Sequence, residues 1–269
     1  MELVSEQKDF IFQNIGVLKT DNYIVYISGS LVEGFGNVKS DIDVFVICDE
    51  IEWNENKNRT ESIVKENENQ TVRNFVHNNQ RYDIEYIKMD YFKKTINDLN
   101  NLNFETDDFI NSLDNKQLDL IHRFKHGVAI GNKELFSELY NSSNFENLSK
   151  NLVYNNTRIY SAVVEDLQGA FQSQDYGTTY FLTRRVVDVA INTFLASQHE
   201  TNPSAKWTYR KLERFVKNND CYRIIERYMD IQQASYSKEN MENMVFEALS
   251  FSQELMSKGQ KILIEEVKK

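Results

Sequence analysis

Asp41 and Asp43 open an apolar, β-branched run, DIDVFVIC, that reads as a strand. On a strand, residues two apart point to the same face, so both carboxylates project together. Like charges held that close repel unless cations sit between them. Upstream, Gly29-Ser30 ends a shorter β-branched run, IVYIS, and a loop carrying Gly34 and Gly36 joins the two. A hydroxyl and backbone N–H groups at a strand end can meet phosphate oxygens, and glycines let the backbone approach a ligand closely. The chemistry this suits is transfer at phosphorus. Divalent cations held by paired carboxylates clamp the attacking and leaving oxygens of an in-line displacement, and all-oxygen ligation favours Mg²⁺.

Two other phosphate motifs do not fit. A Walker A loop needs Lys and then Ser or Thr after its second glycine, whereas Phe35 and Gly36 follow Gly34. A dinucleotide fingerprint needs a third glycine and a helix; Gly34-Phe35-Gly36 lacks the glycine and leads into a strand.

Gly-Ser, a glycine-bearing turn and then Asp-x-Asp on the next strand resemble the signature of the DNA polymerase β-like nucleotidyltransferase superfamily. The resemblance implies nucleotide binding by Gly29, Ser30 and Ser40, one or two Mg²⁺ ions on Asp41 and Asp43, and ATP as co-substrate. It also implies a third carboxylate from a later strand. RYDIEYIK offers Asp83 and Glu85 on one strand face. The pattern is similar to the Asp-x-Glu of antibiotic-modifying members, in which the first acid is a ligand. Asp83 is therefore favoured as metal ligand or general base, with Glu85 as the rival catalytic acid.

The later segments LTRRVVDVA and PSAKW resemble the helical domain of aminoglycoside adenylyltransferases acting on streptomycin and spectinomycin. That resemblance implies that Arg185 and Lys206 meet the ATP phosphates. Arg184 rivals Arg185, because it falls on the apolar stripe of its helix and has Asp188 one turn on. The function implied is transfer of AMP to a hydroxyl of a small acceptor such as an aminoglycoside, an antibiotic-resistance activity. The alternatives are nucleotidylation of tRNA or protein in a toxin or defence system, and a non-catalytic nucleotide-binding module.

The elements that must position these residues are legible in outline. An amphipathic helix over residues 5–18 precedes the first strand. Residues 49–69, rich in Asn, Glu and Lys, read as a solvated loop. Asn78-Asn79-Gln80 divides a hairpin spanning about residues 71–88. From Met89 onward the apolar periods are helical. The expected fold is α+β: a nucleotidyltransferase core with a short mixed sheet over residues 1–130, then a helical bundle over 131–269.

Composition agrees with a globular chain: 269 residues, 41% hydrophobic and 12% aromatic, with a single proline, Pro203. Residues 1–132 hold 23 acidic and 14 basic side chains, and the remainder 18 and 17. Such an acidic half repels a phosphate backbone, which argues against long nucleic-acid partners. No apolar stretch reaches the length of a membrane span, and no signal peptide is evident. Cys48 and Cys221 are too far apart in sequence to suggest a disulfide framework or zinc site. The expectation is a cytoplasmic protein.

Among the remaining candidates, His122 and His126 share a helix face, but IHRFKHG supplies no nearby third ligand, so a helix-end role is favoured over metal binding. His77 and His199 read as solvated or structural. Arg210, Lys211, Arg214 and Lys217 read as a solvated basic face.

Overall fold

The computed structural model describes residues 2–52, 62–65, 67–104 and 113–263. The chain begins with helix α1 (Glu2–Asn14), the short strand β1 (Val17–Leu18), then strands β2 (Tyr23–Ser28) and β3 (Ile42–Cys48). Strands β4 (Ile51–Glu52), β5 (Ser62–Lys65), β6 (Gln70–His77) and β7 (Gln80–Lys88) follow. Next come α2 (Met89–Asn100), α3 (Asn115–Lys125), β8 (Val128–Gly131) and α4 (Lys133–Asn141). The rest is helical: α5 (Phe145–Gln172), α6 (Tyr176–Ser197), α7 (Thr208–Asn219), α8 (Arg223–Gln233) and α9 (Met241–Gly259).

The chain divides into two compact units, Met1–Leu102 with Lys116–Phe145, and Asn103–Asn115 with Glu146–Lys269. The first is built on a six-stranded sheet of order β5-β6-β7-β3-β2-β8. The β3–β7 ladder is parallel, and the others in this sheet are antiparallel, so the sheet is mixed as expected. The β6–β7 hairpin turns at Asn78 and Asn79, with φ of 48° and 62°. Two successive left-handed residues are the requirement of a type I′ turn, and asparagine tolerates that conformation.

Alternation along β2 and β3 separates two cores. Val25, Ile27, Val44 and Val46 pack with Ile11 and Ile15 of α1. On the opposite face, Tyr26 stacks on Phe45 at 5.0 Å, and Phe124 meets Tyr26 and Phe136 edge-on. The second unit packs Val163, Leu167, Val187, Ile191, Leu212, Phe251 and Leu255 into its own core. Those from α5 and α6 follow the expected helical stripes. Among the described residues, no helix is long and apolar enough to cross a membrane.

Several expectations need correction. The first helix ends at Asn14, because Gly16 takes a φ of 82° and breaks it. The Asn/Glu-rich segment contains strands: β4 pairs with β1, and β5 with β6, although residues 53–61 and 66 lie outside the described ones. The region after Met89 is not wholly helical, since β8 adds an edge strand to β2. Four residues are too few to show a period, and the partner strand lies about a hundred residues upstream.

Arg184 does not pair with Asp188. Its guanidinium stacks on Tyr180 at 3.7 Å and donates to the carbonyls of Gln232 and Ala234, satisfying acceptors left open at the end of α8. Asp188 instead accepts from Tyr228 and Gln232. The basic run on α7 is not a uniformly solvated face either. Lys211 is fully buried, and both it and Arg214 pair with Glu200. Lys217 is exposed.

Candidate active site

Strand pairing brings the acidic candidates together. Ser28 lies opposite Asp43 in the β2–β3 ladder, and Asp43 lies opposite Asp83 in the parallel β3–β7 ladder. Directly paired residues share a sheet face, so Ser28, Asp43 and Asp83 project together. By alternation Glu85 projects with them, and Asp41, the residue before β3, shares Arg81 with Asp83. This is the face that also carries Tyr26 and Phe45.

Gly29 bounds the site from above. Its φ is +88°, and a Cβ there would stand 1.9 Å from Oδ2 of Asp43 and 2.8 Å from Nη1 of Arg123. The backbone therefore approaches the acid cluster as only glycine permits. The following loop is tightly folded, with Glu33 N–H donating to Gly29 O at 3.0 Å and Phe35 N–H to Ser30 O at 2.7 Å. The hydroxyls of Ser30 and Ser40 meet at 3.3 Å. Ser40 is fixed further by donation to its Oγ from Asn37 N–H and to its carbonyl from Gln80. The sequence-derived set Gly29, Ser30, Ser40, Asp41, Asp43, Asp83 and Glu85 thus belongs to one locality of the first unit.

Two arginines compensate the acids. Arg81 donates to both carboxylate oxygens of Asp83, at 2.9 and 3.1 Å, and stands 3.8 Å from Asp41. Arg123 of α3 reaches Asp43 at 3.3 Å and Asp119, one turn earlier, at 3.4 Å. Ser28 Oγ donates to the Arg123 carbonyl at 2.7 Å, tying the end of α3 to the end of β2. Neither Arg123 nor Asp119 is conspicuous in sequence, because an Asp/Arg pair one helical turn apart is common on exposed helices.

Burial and mutual repulsion leave their mark on the acids. Desolvation pushes the Asp43 carboxyl up to about 6, with Asp83, Asp41 and Asp119 adding to the rise and Arg123 opposing it. Burial raises Asp83, against the pull of Arg81. Glu85 is pushed up to about 7, chiefly by burial and then by Asp119; Arg123 and a 2.7 Å hydrogen bond from Gln70 oppose this. The Tyr26 phenol, buried within the electrostatic reach of Glu85, is raised well above its ordinary value, chiefly by desolvation.

These residues suit a hard divalent cation. The donors are carboxylate oxygens from adjacent strands, and the Asp43 carboxyl, raised chiefly by burial and further by its acidic neighbours, lies where a cation would be welcome. The side chains are drawn onto Arg81 and Arg123 rather than onto one another. Asp41, Asp43 and Asp83 do not form a set with donor atoms all within 4.8 Å, and the one such set among the described residues is Glu33, His122 and His126.

Arg185 and Lys206 lie in the second unit. Both are exposed, and Lys206 Nζ sits over the Trp207 ring at 5.1 Å. His77 is exposed and stacks on Phe10 at 4.3 Å, and His199 meets Ser149 Oγ at 3.2 Å. A surface cavity lined by residues including Arg227, Asp230, Ile231, Asn243 and Met244 contains none of the sequence-derived candidates.

No family model matches this chain, and no curated protein sequence matches it. Among solved structures it is similar to a nucleotidyltransferase-like protein from Exiguobacterium sibiricum 255-15. The two are 12% identical, the match covers 98% of this chain and 77% of that one, and the TM-score is 0.47.

Proposed function

We propose that the chain is a Mg²⁺-dependent nucleotidyltransferase that moves AMP from ATP to a hydroxyl of a small acceptor such as an aminoglycoside. The observation that carries this reading is the Asp43–Asp83 pairing across parallel strands, with Asp41 sharing Arg81 with Asp83 and Gly29-Ser30 against the pair. Asp41, Asp43 and Asp83 would hold the cation. Bound Mg²⁺ would offset the charge of the triphosphate and of the departing pyrophosphate.

The chain's own groups divide the remaining work. Ser30, Ser40 and the backbone after Gly29 hold phosphate oxygens. Glu85, with a carboxyl pushed up to about 7, is matched to accept a proton at neutral pH. Asp83, which pairs with Asp43 across the ladder and shares Arg81 with Asp41, is assigned as the ligand of the two. In the reaction the acceptor oxygen bonds to the α-phosphorus while the bond to the bridging oxygen of the β-phosphate breaks. The hydroxyl proton passes to Glu85, and pyrophosphate leaves. Arg185 and Lys206 are assigned to the triphosphate by the resemblance of their segments.

The test is incubation of the full chain with each labelled nucleoside triphosphate, Mg²⁺ and a panel of aminoglycosides or tRNA, following pyrophosphate release. Acceptor-dependent release with ATP and an aminoglycoside supports the reading. Release only with tRNA would replace the acceptor class, and no release with any acceptor or triphosphate would remove the enzymatic reading.

A further inference from the structure

Helix α3 carries a second group of potential ligands beside the acid cluster. His122 is almost fully buried, and its Nε2 lies 3.3 Å from Oε1 of Glu33, whose side chain is 5% exposed. His126 follows one turn later. The two imidazole centroids are 4.8 Å apart and tilted by 59°. One donor atom from each of Glu33, His122 and His126 lies within 4.8 Å of both others. The third ligand absent from the sequence around IHRFKHG is thus supplied by the loop after Gly29, 89 residues upstream of His122.

We propose that Glu33, His122 and His126 form a binding site for a divalent transition metal of the zinc type, separate from the oxygen-ligand site on the aspartates. The donor chemistry separates the two. Imidazole nitrogen suits zinc and its neighbours, whereas carboxylate-only sets suit magnesium. Three protein ligands of the His₂Glu kind with one further position is an established zinc coordination. In a tetrahedron with bonds of about 2.0–2.1 Å, donors stand about 3.4 Å apart. The Glu33–His122 separation of 3.3 Å already meets that requirement. His122 in the last turn of α3 and His126 just past its end, bonded back to the His122 carbonyl, are suitably placed to chelate together.

Burial strengthens the assignment. The Glu33 carboxylate and the His122 imidazole are both withdrawn from water and already face one another at 3.3 Å, so a cation entering between them would find its donors in place. The consequence is mechanical. Glu33 N–H is bonded to the Gly29 carbonyl, and His122 immediately precedes Arg123. A metal here would pin the Ser30 loop to the helix that delivers Arg123 to Asp43, making the metal a positioning element rather than a participant in the reaction.

The experiment uses the full chain, stripped with chelator and returned to buffer with excess Mg²⁺, titrated with Co²⁺ as a spectroscopic substitute for Zn²⁺. The expected result is one equivalent of Co²⁺ with visible d–d bands, displaced by one equivalent of Zn²⁺. His126→Ala and Glu33→Gln should each weaken binding by at least about 100-fold, since even residues that only support metal ligands cost 10–100-fold. Asp41→Asn should bind Co²⁺ as the parent does. Glu33→Gln keeps the side-chain shape and decides the matter if His126→Ala does not fold. Absence of stoichiometric binding by the parent chain in Mg²⁺, or unchanged affinity in Glu33→Gln, would overturn the proposal. No nucleotide is involved, so this result stands apart from the test of nucleotidyl transfer.

Discussion

A Cβ on Gly29 would stand 1.9 Å from Oδ2 of Asp43, so the backbone that opens the phosphate-side loop and the acid proposed to hold metal occupy a single tight contact. Gly29→Ala must either displace the carboxylate or twist the loop away from it, and its φ of +88° is unfavourable for alanine. The expected outcome is a stability loss of about 1–3 kcal/mol and turnover lowered by at least about 100-fold. Thermal unfolding and pyrophosphate release on the same preparation check this. Near-parental turnover would show that the contact is not needed for the chemistry.

Asp41→Asn and Asp43→Asn should each abolish Mg²⁺-dependent turnover while leaving the fold intact, because each removes an oxygen ligand without removing core volume. Asp43→Asn should also stabilise the metal-free protein above pH 6. Its carboxyl is raised from 3.8 to about 6 on folding, so the folded state favours the protonated acid, and stability present below pH 3.8 is lost as pH rises through 6. Removing the ionisable group relieves about 1–3 kcal/mol at pH 7.5 and nothing at pH 3.5. Denaturant titration at both pH values without metal would decide; equal effects at the two would contradict the burial argument.

Glu85→Gln separates the general base from the ligand. Turnover should fall by about 10²–10⁴-fold, and the parental rate should rise with pH as Glu85 ionises, at about 7 without metal and at a lower value when Mg²⁺ is bound beside it. The stability effect has a definite sign. The carboxyl rises from 4.5 to about 7 on folding, so the folded state loses relative stability as pH climbs across that window. Glutamine avoids this loss and should gain about 1–3 kcal/mol at pH 8, vanishing below pH 4.5. Asp83→Asn should instead weaken Mg²⁺ dependence. If Glu85→Gln left the rate and its pH profile unchanged, the base would have to be sought elsewhere.

The acid cluster was readable because strand alternation is a local rule. Asp83 and Glu85 are two residues apart on β7 and share a face, and Asp43 on β3 lies opposite Asp83, with Asp41 just before the strand. The hairpin was readable for the same reason, since Asn78 and Asn79 carry their turn conformation in their own residue types. What escaped depends on non-local pairing. The strand β8 gains its identity only from β2. Lys211 and Arg214 lost their apparent solvated face to Glu200, which precedes the helix that carries them. Glu33 carries no signal of its own in the sequence, and only α3 brings His122 to it. Arg123 belongs to the same class: its partner Asp119 is visible in the sequence, but Asp43 is 80 residues away.

Arg123 yields the last prediction. Its guanidinium lies 3.3 Å from Asp43 and 3.4 Å from Asp119, and it lowers the carboxyls of both Asp43 and Glu85 against the effect of burial. Arg123→Ala should therefore raise both further. At pH 5 the Asp43 and Glu85 carboxyls, at about 6 and about 7, are largely protonated in the folded state, so Arg123 has less negative charge to offset than at pH 8, its pair with Asp119 apart. At pH 8 both are ionised in the parent, and the variant leaves them without the guanidinium that offsets their charge. The stability loss should be about 1–3 kcal/mol at pH 8 and markedly smaller at pH 5. Excess Mg²⁺ should restore part of the pH 8 loss by replacing the missing positive charge. Arg123→Lys should recover some stability at pH 8 but not the full effect, because a single ammonium cannot span Asp43 and Asp119 as the guanidinium fork does. Denaturant titration of both variants at the two pH values, with and without Mg²⁺, measures each quantity. A loss of equal size at pH 5 and pH 8, insensitive to Mg²⁺, would mean that Arg123 serves packing alone and that the acids are balanced by some other cation.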